Sequence, residues 1–339
     1  VKRTSALVLP FLFLLVLGAA GSAQELKERA LFKGHTFSVN QVALSPDGKV
    51  VATGGGDTRG GELKLWDVTS AKEIAALAGY SDSLYALAFS PDGKLLASGN
   101  GNGKAQLWDM AAHKQRATLQ VSRQEAPHAL AFSQDGKTLA MAGNRGVQLW
   151  DVATGKELIS FKRTVKAWKM AFSRDLRTLA SPNYPEIDLW DVATGKIGLI
   201  LSEHRGTVRC VAFSSDDTIL ASASVWNTND FHYEGQVKLW DAATGKEKAT
   251  FQGQFGEILS LALSPDGKTI LLADRKVLDT EIKLKLLDVP TGEVRVIYTV
   301  PPRERFPLFS FMFLADGRRF VLQSLDKMVK LWEVTPRRS

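Results

Sequence analysis

The chain has 339 residues, 45% of them hydrophobic and 23% charged, with 28 glycines, eight tryptophans and a formal net charge of +7. Its length suits one large domain or two ordinary ones, and its composition is that of a globular protein. The one cysteine, Cys210, excludes an internal disulfide and a C-x-x-C metal site. The five histidines (His35, His113, His128, His204, His232) lack H-E-x-x-H or H-x-H spacing, so neither metal nor cofactor is expected. Basic residues cluster only as Arg303/Arg305, Arg318/Arg319 and Arg337/Arg338, without interleaved aromatics, which argues against a nucleic-acid groove.

In chain order, residues 1–23 come first and stand apart in composition. Lys2 and Arg3 precede an uncharged apolar run from Ala6 to Ala20, and Gly21-Ser22-Ala23 follows with small residues. This is the three-part pattern of a signal peptide, with cleavage expected near Ala23. The run is short for a bilayer span, although retention as an anchor is the alternative. The pattern predicts export, and a single cysteine then suggests a bacterial periplasm or the exterior. No membrane span is expected in the mature chain.

From residue 24 to 335 two linked motifs recur seven times. The first is apolar-Trp-acidic: Leu65-Trp66-Asp67, Leu107-Trp108-Asp109, Leu149-Trp150-Asp151, Leu189-Trp190-Asp191, Leu239-Trp240-Asp241, Leu286-Leu287-Asp288 and Leu331-Trp332-Glu333. The second, about 20 residues earlier, is a Ser-Pro-Asp-Gly-Lys turn. It is whole at Ser45–Lys49, Ser90–Lys94 and Ser264–Lys268 and degenerate at Ser133, Ser173, Ser214 and Ala315. Pro presets the turn, Asp bonds nearby backbone and Gly takes the left-handed position. A further turn, Ala-Thr-Gly-Lys at 153–156, 193–196 and 243–246, follows three of the Trp motifs. Each repeat thus parses into four short strands, a to d. In the second, a is 84–89, b is 95–98, c is 104–110 and d is about 115–119.

A period of 40–50 residues ending in Trp-Asp, with Gly34-His35 opening the first repeat, resembles the WD-repeat family. The resemblance implies an all-β fold: a seven-bladed β-propeller of four-stranded antiparallel blades. Blade cores are expected near 35–77, 79–119, 124–161, 163–201, 204–251, 253–299 and 305–334, with 336–339 a short tail. It also implies a hydrogen-bonded His, Ser/Thr, Asp and Trp network, which only His35, Thr53, Asp57 and Trp66 can form in full. The remaining repeat tryptophans, Trp108, Trp150, Trp190, Trp240 and Trp332, are expected as core packing.

The last repeat ends after strand c. Lys27–Gly34 repeats the register of Lys72–Gly79 and Lys246–Gly253, so the N-terminal strand (27–33) is expected to complete the seventh blade and close the ring.

Alternating strands put the short a–b and c–d turns at one end and the b–c and d–a loops at the other. The loop end is the expected binding face. Its b–c segment 225–236 carries Trp226, Phe231 and Tyr233, open to two readings: partner contact or local packing. One position near the start of strand a falls at Asn40, Tyr85, His128, Trp168, Arg209, Leu259 and Phe309, and the resemblance puts it at the channel mouth. A rim of aromatic and cationic residues has hot-spot composition. His128, His232 and Asp230 are possible acids or bases, but nothing couples them to a nucleophile. The expected function is therefore a monomeric protein–protein interaction scaffold acting outside the cytoplasm. The alternatives are a propeller-type hydrolase or lactonase and a small-ligand or glycan sensor.

Overall fold

The structure is a computed structural model. It describes residues 26–57, 59–120, 126–143, 146–162, 169–228, 233–275, 281–300, 310–323 and 327–334. Every sheet has four antiparallel strands, and seven such blades form a β-propeller. Blade 2 shows the plan: Leu84–Phe89, Leu95–Asn100, Lys104–Asp109 and Lys114–Gln120, in spatial order a-b-c-d.

The a–b turn explains the Ser-x-Asp-Gly motif. Ser45 Oγ donates to Asp47 Oδ1 (2.6 Å) and accepts from Val50 N (2.9 Å), while Lys49 N donates to Asp47 Oδ1 (3.1 Å). The same hydroxyl-to-carboxylate bond recurs at Ser90, Ser133, Ser173, Ser214 and Ser264. These serine bonds hold the Asp47, Asp92, Asp135 and Asp216 carboxyls below the ordinary range. Where the left-handed glycine is missing, Leu176 (φ 56°) and Asp217 (φ 59°) adopt its conformation at some strain. Asp217 offsets this by accepting from Arg174 N (2.7 Å) and Asp175 N (3.0 Å), which ties blade 5 to blade 4.

The Asp of the Trp-Asp motif caps the next turn. Asp151, Asp191 and Asp241 each accept from both the backbone N and the hydroxyl of the threonine three residues on.

Among the described residues there are seven apolar clusters, one between each pair of neighbouring blades. Strand alternation gives every blade two faces, and an apolar face can be buried only against the next blade. The motif tryptophans plug these seams: Trp66 and Trp240 are 1% exposed.

The ring closes as the sequence predicts. Strand Leu26–Phe32 pairs antiparallel with Val329–Val334, with Phe32 opposite Val329. Phe32, Val329 and Leu331 then join Val42, Val51 and Trp66 in one cluster, so the last seam contains both ends of the propeller. Lys330 reaches Glu28 at 3.3 Å. Blade 1 repeats that ion pair between strands c and d as Lys64–Glu73 (2.9 Å), and blade 5 repeats it as Lys238–Glu247. In each case the ammonium lies over the blade's tryptophan. The shared Lys-Glu register of the three outer strands thus has a physical role.

Candidate functional site: the channel mouth at the loop end

The aligned strand-a position is a point of backbone irregularity. The ladder between strands a and b skips one residue at Asn40, Tyr85, Arg209 and Leu259, in blades 1, 2, 5 and 6. A β-bulge of this kind leaves one residue unpaired and re-aims its side chain. In blade 3, His128 lies just before strand Ala129–Phe132, and its N donates to Ala142 O at 2.8 Å. Trp168 and Phe309 lie outside the described residues.

These side chains meet across neighbouring blades. Asn40 Nδ2 donates to Ser83 Oγ (2.8 Å), and the Tyr85 ring meets His128 edge-on at 6.3 Å. Burial lowers the His128 pKa, so the ring is held neutral. Arg209 Nη2 lies 3.5 Å from Glu257 Oε1, and the other oxygen of that carboxylate takes Arg275 Nη2 at 2.6 Å. Lys169 Nζ donates to Ser260 Oγ at 2.7 Å and lies 3.4 Å from Leu259 O, bridging blade 4 to blade 6. Its strand a is the shortest of the seven, Ala171–Phe172. Sequence alignment missed Lys169, because it follows the aligned position by one residue in a blade whose strand is cut short.

The b–c segment 225–236 is mostly hairpin rather than loop. Strands Ile219–Asn227 and Tyr233–Asp241 extend into it, with Trp226 opposite Glu234 and Asn227 opposite Tyr233. Val225, Trp226 and Tyr233 favour a strand, which is why pairing runs beyond the core of the blade. Trp226 stacks under the Arg205 guanidinium (5.3 Å) and against Gly206, where even a Cβ would come within 2.9 Å of it. Trp226 thus has local packing partners. Tyr233 is 36% exposed, and Phe231 and His232 lie outside the described residues. Among the described residues, the most exposed aromatic at this end is Tyr184, 71% exposed at the tip of the blade-4 hairpin.

The expected blade network needs correction in two ways. His35, Thr53 and Trp66 do form it: Trp66 Nε1 donates to Thr53 Oγ1 (2.6 Å), which lies 2.6 Å from His35 Nε2. Asp57, however, turns to Arg59 (2.6 Å), and Glu62 takes its place at 3.0 Å from His35 Nδ1. Strand pairing decides this, because Asp57 lies at the hairpin end opposite Gly60 whereas Glu62 sits further in, opposite Gly55. Burial lowers the His35 pKa despite the Glu62 carboxylate beside it.

Blade 1 also does not stand alone. Trp240 Nε1 donates to Ser222 Oγ (2.7 Å), 2.6 Å from His204 Nε2, and His204 Nδ1 meets Ser224 Oγ at 2.8 Å. In blade 2, Trp108 Nε1 donates to Ser98 Oγ (3.1 Å), which meets Tyr80 OH at 2.6 Å. Each ring residue precedes its hydroxyl residue by 18 positions, a spacing that sequence reading could have used. Trp150 and Trp332 stand beside Met141 and Leu322 instead of a hydroxyl, and their Nε1 atoms meet no acceptor among the described residues.

Two cavities open at the turn end, opposite the face expected to bind. One, of about 450 Å³, lies between blades 1 and 2 and is lined by Pro46, Asp47, Ile74, Phe89, Pro91 and Met110. The other, of about 540 Å³, lies between blades 6 and 7 beside Asp266, Leu286, Arg295, Phe313 and Asp316. Among the described residues no three His, Cys, Asp or Glu side chains gather as a metal site would require, and no helix is long and apolar enough to cross a membrane.

Comparison with known proteins agrees with the repeat. Residues 195–241 match the family model of the WD domain, G-beta repeat. That match covers one repeat of the propeller. A second model, the N-terminal domain of Nucleolar protein 10-like proteins, matches residues 23–176 of this propeller. A relative from Dictyostelium discoideum, the Periodic tryptophan protein 2 homolog, is 50% identical over 38 residues, which is 11% of this chain and 4% of that protein.

These matches overturn the expected export. The proteins resembled include a nucleolar type, which belongs inside the cell and not in a periplasm or the exterior. The leader pattern of residues 1–23 is one of charge and hydrophobicity alone, which short apolar segments can meet for other reasons, and it lies outside the described residues.

Proposed function

We propose that this WD-repeat propeller is a protein-interaction scaffold, not an enzyme, that receives its partner at the channel mouth of the loop end. The carrying observation is the bulge shared by four blades, which turns Asn40, Tyr85, Arg209 and Leu259 out of the ladder at one level of the ring. A bulge gives up ladder hydrogen bonds, and bulges concentrate where a side chain must be re-aimed. Tyr and Arg at this position are the residue types that dominate binding energy at protein interfaces. A regular ring of blades supplies a rigid support for such a rim.

The test is affinity capture with the intact chain against a Tyr85→Ala/Arg209→Ala variant, read by quantitative mass spectrometry. Proteins captured by the wild type should be depleted at least tenfold on the variant while its thermal unfolding is unchanged. Equal capture by a folded variant would place the interface elsewhere on the propeller.

A further inference from the structure

The mouth of the channel is chemically two-sided. Along blades 1 to 3 it presents an amide and an aromatic pair: Asn40 bonded to Ser83, and Tyr85 edge-on to His128. Along blades 5 and 6 it presents the guanidinium groups of Arg209 and Arg275. Glu257 is the carboxylate set among them, and it is shared. Its close contact, 2.6 Å, goes to Arg275, while Arg209 stands off at 3.5 Å with 48% of its side chain exposed. The next carboxylate of that blade, Asp274, is 1% exposed and engaged by Lys285 Nζ (2.7 Å) and Gly256 N (2.8 Å). Arg209 is therefore half-exposed beside a carboxylate that another guanidinium holds more closely.

We infer that Arg209 receives an aspartate or glutamate of a partner segment whose neighbouring apolar side chain packs on the Tyr85–His128 pair, so that the scaffold selects short acidic-apolar peptide stretches. This rests on the scaffold function proposed above. A guanidinium offers a carboxylate two parallel donors. A phosphate fits less well, since a dianion beside Arg209 would also face the Glu257 carboxylate, and like charges repel. The aromatic arc supplies apolar area that acidic residues alone would not use. Nucleic acid is disfavoured by the Glu257 carboxylate next to Arg209.

The experiment pans a random twelve-residue peptide library on the intact wild-type chain and on Arg209→Glu, then measures the best wild-type peptide by fluorescence anisotropy. Wild-type selections should be enriched in Asp or Glu next to an apolar residue, and the enrichment should vanish or turn to Lys and Arg on Arg209→Glu. Affinity of the synthetic peptide should fall at least tenfold on Arg209→Glu, and equally when its acidic residue becomes Gln. If Arg209→Glu does not fold, Arg209→Gln replaces it, with a fall of about fivefold expected. Selections without acidic enrichment, an unchanged affinity on the Arg209 variants, tenfold tighter binding of a phosphoserine version, or equal competition by single-stranded DNA would each overturn the inference. Failure of the underlying function looks different: capture by the whole chain would then survive Tyr85→Ala as well. Capture that needs Tyr85 but ignores Arg209→Glu removes only the acidic specificity.

Discussion

Blades 5 and 6 are neighbours with the same topology, and they hold their sheets together in opposite ways. In blade 5 four polar groups are buried as a chain: Trp240 donates to Ser222, which meets His204, which meets Ser224. In blade 6 the residues at the Trp240 and Ser222 positions are Leu287 and Leu272, both 0% exposed. There the lysine that elsewhere pairs with strand d turns inward instead, and Lys285 binds Asp274 (2.7 Å) and Gln254 O (2.7 Å) under the Phe255 ring. A buried hydrogen-bonded set can be kept whole or replaced whole by apolar groups at little cost, but a half-kept set leaves a buried group without a partner. Blades 3 and 7 illustrate the third case, since they retain Trp150 and Trp332 beside Met141 and Leu322, with neither indole N–H meeting an acceptor among the described residues.

The comparison can be broken most severely at the seam that both termini share. Deleting residues 24–34 removes the outer strand of blade 7 and Phe32 from the closing cluster. A fall in Tm of at least roughly 10 °C is expected, because each lost kcal/mol shifts a protein of this size by only a few degrees. An unchanged scan would show that closure does not depend on this strand.

Within the two blades, Trp240→Ala should cost about 3–5 kcal/mol and Leu287→Ala about 2–5 kcal/mol by cavity formation, as read from denaturant midpoints. Similar losses would show that either solution fills its seam.

This buried chain also makes blade 5 sensitive to pH. Burial pushes the His204 pKa down from its ordinary 6.5 to about 4. The unfolded chain therefore binds the proton more readily than the folded one. The stability held by neutral His204 is full above about pH 6.5 and drains away as pH falls toward 4, by about 3 kcal/mol in all. Urea titrations at pH 7.5 and pH 4.5 should show this slope in the wild type and a shallower one in His204→Gln. Equal slopes would mean that His204 protonates freely in the fold.

A smaller loss, about 1–3 kcal/mol, is expected for Ser222→Ala, which strands Trp240 Nε1 and His204 Nε2 together. A near-neutral result would remove the distinction between the two blades. The smallest effect is expected at Asp57. Asp57→Asn should leave Tm unchanged, because that carboxylate meets Arg59 at the surface while Glu62 serves His35. A measurable fall would return Asp57 to the network.

Much of this arrangement is legible in the chain. Seven repeats, the turn chemistry of Ser45-Pro46-Asp47-Gly48 and the strand limits of blade 2 agree with the structure to within one or two residues. The strand-a position at which four blades bulge also emerges from aligning repeats. What could not be read there was its bulge, since a skipped residue depends on how strand b registers against strand a. Lys169 was invisible for a related reason: its two contacts lie some 90 residues away, on blade 6. The turn-end cavities were equally hidden, because each is bounded by two blades that meet only in the ring.

By itself the sequence determined the blade count, the turns and the completion of the seventh blade by strand Leu26–Phe32, because these depend on local turn chemistry, strand periodicity and a repeat that must close. The tertiary structure alone decided which polar groups meet: Glu62 and not Asp57 at His35, His204 with two serines, Lys285 with Asp274, and Arg209 beside a carboxylate already held by Arg275. Hydrogen bonds and ion pairs are matters of ångströms, and strand register and blade-to-blade packing set those distances.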